Sequence, residues 1–183
     1  MNSSSINIPQ QNTNIPRKNK ALFLDRDGVI NHDPGDYTKS LEEFHILPTI
    51  MDKMKTWYEA GYKIIIITNQ GGIAKGLYPG TEVDAIHQYL QGRCIAEGFE
   101  ITDFYYCPHH PEYSGKCFCR KPGSLLIEKA IHKYAIDPEL SVMFGDRERD
   151  VQCAQGAGVR GIQIPTNGEI LSVGEFLQGY SPS

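Results

Sequence analysis

At 183 residues the chain is sized for one ordinary domain, and 40% hydrophobic with 22% charged residues are globular proportions, neither disordered nor membrane-embedded. A formal net charge of −4 supplies no overall basic field for a polyanion, so no nucleic-acid partner is expected, and any anionic substrate has to be met by local positive charge. The longest unbroken aliphatic run is four isoleucines at 64–67, far short of the roughly 20 apolar residues of a spanning helix, so no membrane partner is expected either.

Residues 1–19 (MNSSSINIPQQNTNIPRKN) are polar and contain no apolar block of the kind that precedes a secretory cleavage site. They read as a flexible tail ahead of a single domain over residues 20–183, in a cytoplasmic protein. From there on, apolar runs of strand length alternate with amphipathic stretches of helix length, with Gly, Pro and Asn between them. The predicted strands are residues 21–25, 62–68, 104–107, 142–145 and 161–164. The predicted helices are 48–60, 81–97, 123–134 and 147–156. Pro48 stands where a first-turn proline is tolerated, and Gly61 and Gly98 follow helix ends as C′ residues do. Alternation of this kind predicts an α/β fold, and strands that are continuously apolar predict a mostly parallel sheet covered by helices on both faces. The sequence does not set the oligomeric state; a monomer is compatible with it.

Ligands of such sheets bind beyond the carboxyl ends of the strands. Four polar clusters fall there: Asp25-Arg26-Asp27-Gly28, Thr68-Asn69-Gln70-Gly71-Gly72, a Cys/His segment from Cys107, and Gly145-Asp146-Arg147-Glu148-Arg149-Asp150. Asp25 and Asp27, crowded together, need a counter-charge, which a hard cation such as Mg²⁺ supplies. The plainer alternative is a solvated acidic turn; an EF-hand fails because Val29 occupies the loop's fifth position. Asp146 and Asp150 stand one helical turn apart and would complete an oxygen cage, unless Asp146 only caps its helix and Arg147 and Arg149 pair on the surface. Lys121, in a loop before Pro122, is with Thr68 and Asn69 of the type that stabilises a transferring phosphoryl group; a solvated lysine and a capping threonine are the alternatives. The run Gly71-Gly72-Ile73-Ala74-Lys75-Gly76 lacks the GK[ST] ending of a nucleotide loop, since Leu77 and Tyr78 follow.

Of five cysteines, three lie within residues 107–119 beside histidines. Cys107, His109, Cys117 and Cys119 offer three thiolates and one imidazole for a tetrahedral, structural Zn²⁺, with His110 a competing ligand. Such a clip would stiffen the loop that carries Arg120 and Lys121. Cys94 and Cys153 lie in helix patterns and read as buried thiols.

In order, DRDGVIN, TNQGGIAKG, CPHH…CFCRKP and GDRERD resemble the haloacid dehalogenase superfamily of phosphohydrolases, in its small zinc-containing branch, over about residues 20–164. The resemblance implies a Rossmann-like fold without a large cap domain and a Mg²⁺-dependent phosphoric monoester hydrolase that works through an aspartyl-phosphate. It implies that Asp25 is the nucleophile and Asp27 the general acid and then base. Asp25, the carbonyl of Asp27 and Asp146 would hold Mg²⁺, while Thr68 and Lys121 stabilise the phosphoryl group. Arg120, Asn69, Gln70 and the loop from Asp33 to Tyr37 would contact the rest of a small phosphorylated sugar. The substrate implied is D-glycero-D-manno-heptose 1,7-bisphosphate, losing its 7-phosphate; histidinol phosphate is the alternative, and a zinc-stabilised binding module without catalysis is the reading from another class. Lys75 in place of Arg, Gly71 in place of Ser and the short RKPGSLL segment depart from the branch's pattern at substrate contacts. For these roles Asp25 has to stay ionised, and Asp27 needs the higher pKa of the two.

Overall fold

A computed structural model describes residues 19–179. Five runs form strands β1 (Lys20–Leu24), β2 (Tyr62–Asn69), β3 (Asp103–Cys107), β4 (Val142–Gly145) and β5 (Arg160–Gln163), each within one residue of its expected ends. All pair in parallel, in the order β3-β2-β1-β4-β5, with Leu22 opposite Ile64 on one side and Val142 on the other. The central strands are apolar along their fully buried stretches, residues 21–24, 64–67 and 142–144, because helices cover both faces. Successive side chains point to opposite sides, so Leu22, Leu24, Ile64, Ile66 and Phe144 pack with Met54 and Trp57 of α1 (Ile50–Glu59) and Leu90 of α2 (Gly80–Ala96). Ala21, Phe23, Ile65, Ile67 and Met143 pack with Ile127 and Ile131 of α4 (Leu125–Tyr134) and Ala154 of α5 (Glu148–Gly156). Fully burying one such aliphatic side chain stabilises the fold by roughly 1.5–3 kcal/mol.

Two helices start later than the sequence pattern suggests. Thr49 has φ 66°, outside the helical region, so α1 begins at Ile50. Gly123 is still in a turn, its N–H donating to Arg120 O at 2.8 Å, so α4 begins at Leu125. Two short helices lay outside the expected set: α3 (Pro111–Ser114), a single turn in the Cys/His segment, and α6 (Val173–Gln178), started by a capping box between Ser172 and Glu175. Among the described residues no separate cap domain lies between β1 and β2. The expected flexible tail falls on residues 1–18, outside the described residues, except for its last member. Asn19 is held: its amide donates to Tyr134 O at 2.6 Å, its N–H to Ala135 O at 3.2 Å, and its carbonyl accepts from Asp137 N–H at 2.7 Å.

Candidate active site

The carboxyl ends of the three central strands meet at one lysine. Lys121 is buried, and its Nζ lies 2.8 Å from Asp25 Oδ1, just past β1, and 2.7 Å from Asp150 Oδ1 on α5; it donates to Ile67 O of β2 at 2.7 Å. Its main chain is clamped by Asn69, whose Oδ1 accepts from Lys121 N–H at 3.0 Å and whose Nδ2 donates to Lys121 O at 3.1 Å. Carboxylate oxygens of Asp25, Asp146 and Asp150 lie within 4.8 Å of one another, all three residues being buried. An all-oxygen, triply acidic donor set fits a hard divalent cation such as Mg²⁺. Two glycines make this approach possible. A Cβ on Gly28, at φ 82°, would stand 2.7 Å from Asp146 Oδ2, and one on Gly145 would stand 2.1 Å from Asp150 Cβ.

Asp27 faces a cleft of about 350 Å³ lined also by Asp33, Tyr37, Asn69, Arg120, Arg147 and Arg149. Arg147 pairs with Asp33 at 3.2 Å and Asp146 at 3.1 Å, linking the mouth of the cleft to its acidic floor. Thr68 and Gln70 are buried below the cleft, and Gln70 Nε2 donates to Asp27 Oδ2 at 2.8 Å and Thr68 Oγ1 at 2.9 Å. Gln70 in turn accepts from Tyr78 at 2.8 Å, so it is turned toward the protein.

Beside the cleft, the Sγ atoms of Cys107, Cys117 and Cys119 lie 3.2–3.6 Å apart, and His109 Nδ1 lies 3.6 and 3.3 Å from Cys107 and Cys119. Tetrahedral zinc sets S···S near ~3.8 Å and S···N near ~3.6 Å, so the four residues fit the ion with little adjustment. His110 stands apart as the cap of α3, its Nδ1 accepting from Glu112 N–H. Arg120 donates to His109 O at 3.0 Å, which joins the Cys/His cluster to the cleft.

A HAD-hydrolase-like family model matches residues 118–169. D-glycero-beta-D-manno-heptose-1,7-bisphosphate 7-phosphatase of Haemophilus influenzae is 33% identical over 88% of this chain and 90% of its own length. The corresponding alpha-named enzyme of Photorhabdus laumondii is 38% identical over 78% and 80%. Among solved structures, D,D-heptose 1.7-bisphosphate phosphatase from B. bronchiseptica, complexed with magnesium and phosphate, superposes with a TM-score of 0.75 at 29% identity, over 89% of this chain and 88% of that one. The chain belongs to the heptose-1,7-bisphosphate 7-phosphatase family of haloacid dehalogenase-like proteins. As a member of this family it is a phosphoric monoester hydrolase.

In this phosphatase the protein groups alone shift the two aspartates in opposite directions, Asp25 up and Asp27 down. Burial pushes the Asp25 carboxyl up to about 7; Lys121 opposes the rise and Asp150 adds to it. Burial alone would raise Asp27 too, but the Arg26 guanidinium, with hydrogen bonds from Asn31 and Gln70, holds it below the usual carboxylate range. For Lys121, burial works against the charge, yet Asp25 and Asp150 keep its pKa above the ordinary lysine value. Several site residues escaped the sequence reading. Arg26, Asn31 and Thr38 surround Asp27. Thr166 Oγ1 donates to Asp146 Oδ2 at 2.8 Å, and the Asn167 amide brackets the Asp33 main chain, accepting from its N–H at 2.7 Å and donating to its carbonyl at 3.1 Å. Arg26 and Asn31 stand inside a motif that was read, whereas Thr166 and Asn167 follow β5 with no motif to mark them.

Proposed function

We propose that residues 20–183 form one catalytic domain, a Mg²⁺-dependent phosphatase that removes the 7-phosphate of D-glycero-D-manno-heptose 1,7-bisphosphate through an aspartyl-phosphate on Asp25. The observation that carries this reading is the meeting of Asp25, Asp146, Asp150 and the Lys121 ammonium at the strand ends, next to a cleft with three arginines. An Asp25 oxygen attacks phosphorus; the bond to the sugar oxygen breaks and its electron pair leaves with that oxygen. Asp27 gives the departing oxygen a proton, then takes one from the water that attacks the aspartyl-phosphate, freeing inorganic phosphate and restoring Asp25. A bound phosphoryl group brings like charge beside Asp27 and raises its proton affinity, which offsets the pull of Arg26. Lys121 and Thr68 face the transferring group, with Lys121 held in place by Asn69.

Asp25, the Asp27 carbonyl and Asp146, with Asp150 beside them, would hold Mg²⁺, which would supply opposing charge to keep Asp25 ionised and to spread the charge of the phosphoryl oxygens. Arg120, with Arg147 and the loop from Asp33 to Tyr37, meets the distal phosphate and the sugar. Zn²⁺ on Cys107, His109, Cys117 and Cys119 is structural in this reading, since protein fills all four positions, and a reducing cytoplasm keeps the thiols available. The 7-phosphatase names of the relatives support the substrate, and relatives of similar identity carry both anomers in their names. Phosphate release across a panel of heptose 1,7-bisphosphates, other sugar phosphates and histidinol phosphate tests the reading. The heptose bisphosphate is expected to be the best substrate, and a preference for histidinol phosphate would overturn that assignment. Asp25→Asn is expected to abolish release while circular dichroism and bound zinc stay unchanged; near-normal turnover would remove Asp25 as nucleophile.

A further inference from the structure

The turn that follows β1 wraps the Asp27 carboxylate in donors. Arg26 reaches Oδ1 through Nε at 3.3 Å and NH2 at 3.0 Å, and reaches Oδ2 through NH2 at 3.1 Å. Asn31 Nδ2 and Thr38 Oγ1 donate to Oδ1 at 3.0 and 3.1 Å, and Gln70 donates to Oδ2 at 2.8 Å. The turn itself makes this convergence: the Arg26 carbonyl accepts from Ile30 N–H at 2.8 Å and Asn31 N–H at 3.1 Å, which folds Asn31 back over Asp27.

Arg26 is the unusual member of the group. It is 0% exposed, its guanidinium lies 5.8 Å from the Phe44 ring, and among the described residues its NH1 has no hydrogen-bond partner. A buried guanidinium with an unmet N–H is a poor way to fill a core, because an apolar side chain of similar volume is commonly as stable or more so. What a guanidinium supplies and an apolar side chain does not is a planar fork that sets the orientation of one carboxylate. The two oxygens of Asp27 are also held unequally. Oδ1 is met by Arg26, Asn31 and Thr38, all from the β1 turn and the loop beyond it. Oδ2 is met by the edge of the Arg26 fork and by Gln70, an amide on the neighbouring strand end that Tyr78 and Thr68 also engage.

We infer that Arg26 is a positioning residue, gripping Asp27 through Oδ1 so that Oδ2 is presented to the leaving oxygen of the ester. The inference rests on the acid role proposed for Asp27. In the step concerned the P–O bond breaks, its electron pair stays on the sugar oxygen, and that oxygen takes its proton from Asp27; Arg26 exchanges no proton.

An alkoxide leaving group needs that proton and p-nitrophenolate does not, and kcat/KM reports the steps up to its departure. Arg26→Met is therefore expected to lose kcat/KM on the heptose bisphosphate at least about tenfold more than on p-nitrophenyl phosphate, Arg26→Lys less so, and Thr38→Val about threefold more. Equal losses on both esters in a folded variant would make Arg26 merely structural and overturn the inference. Thr38→Val keeps the test open should Arg26→Met fail to fold. Asp27→Asn run in parallel separates the two claims: if it loses both esters equally, the acid role itself falls. If it discriminates and the Arg26 variants do not, only the inference falls. A crystal structure of Arg26→Lys or Thr38→Val gives a readout independent of the aryl ester, with the Asp27 carboxylate expected to turn away from its position beside Gln70; an unmoved carboxylate would count against the inference.

Discussion

Single residues in this protein act according to burial, which the sequence does not print. Arg26 and His87 look like surface residues in a sequence and are both buried. His87, on α2, stacks on Phe104 with ring centroids 4.5 Å apart, and its Nε2 is buried without a partner among the described residues. Burial pushes its pKa down to about 3, with Arg26 adding to the fall, so it stays neutral in the folded protein. In the unfolded chain it titrates near 6.5, so between pH 6.5 and 3 the unfolded state binds the extra proton and stability falls as pH falls. The loss is on the order of 5 kcal/mol when complete. His87→Phe keeps the stacked ring, removes the unmet nitrogen and removes this proton linkage. The variant should therefore match or exceed the wild type near pH 7.5 and unfold at a clearly lower pH in an acid titration followed by circular dichroism. An unchanged acid midpoint would show that His87 is not the linked group.

At the scale of elements, strands were readable because a buried parallel strand has to be apolar throughout, and four of the helices because they face those strands. α6 was missed although its Ser172-Val173-Gly174-Glu175 start carries a capping-box signature, since only six helical residues follow it. The DRDG, CPHH and GDRERD clusters stood out because each follows a strand end. The loops that complete the cleft did not, because Asn167 reaches Asp33 across 134 positions of sequence. The loop between β3 and α4 shows what such long-range ties do. One side of it is joined to the Cys/His cluster through Arg120 and His109, and the other is clamped by Asn69 at Lys121. On the zinc reading proposed above, removing the ion should thus free Arg120 more than Lys121. With Mg²⁺ resupplied, zinc-stripped protein is expected to melt at lower temperature and to show KM raised about tenfold with a smaller change in kcat, a charge-assisted contact to phosphate being worth roughly 1.5–3 kcal/mol. A collapse of kcat at constant KM would place the zinc's influence on Lys121 instead.

For the molecule as a whole, charge is distributed against its own average. The chain carries −4, and three of its carboxylates, Asp25, Asp146 and Asp150, gather at the floor of the site, so a multiply charged phosphate ester approaches a protein that repels it overall. Among the residues that line the cleft, Arg120, Arg147 and Arg149 supply the attraction, at short range. Arg147 is partly neutralised by Asp33 and Asp146, which leaves the local field modest. Exposed charges of this kind are screened beyond about 10 Å at 0.1 M salt and about 3 Å at 1 M. Lys121 Nζ lies within 3 Å of both Asp25 and Asp150 and away from solvent, where salt has little effect. Capture and chemistry should therefore separate under ionic strength: between 0.05 and 0.5 M KCl at constant Mg²⁺, KM for a sugar bisphosphate is expected to rise by about three- to tenfold while kcat stays within about twofold. A sugar monophosphate, with less charge for the arginines to meet, should show a shallower rise. Salt curves of equal slope for the two substrates would mean that the cleft arginines do not read the distal phosphate.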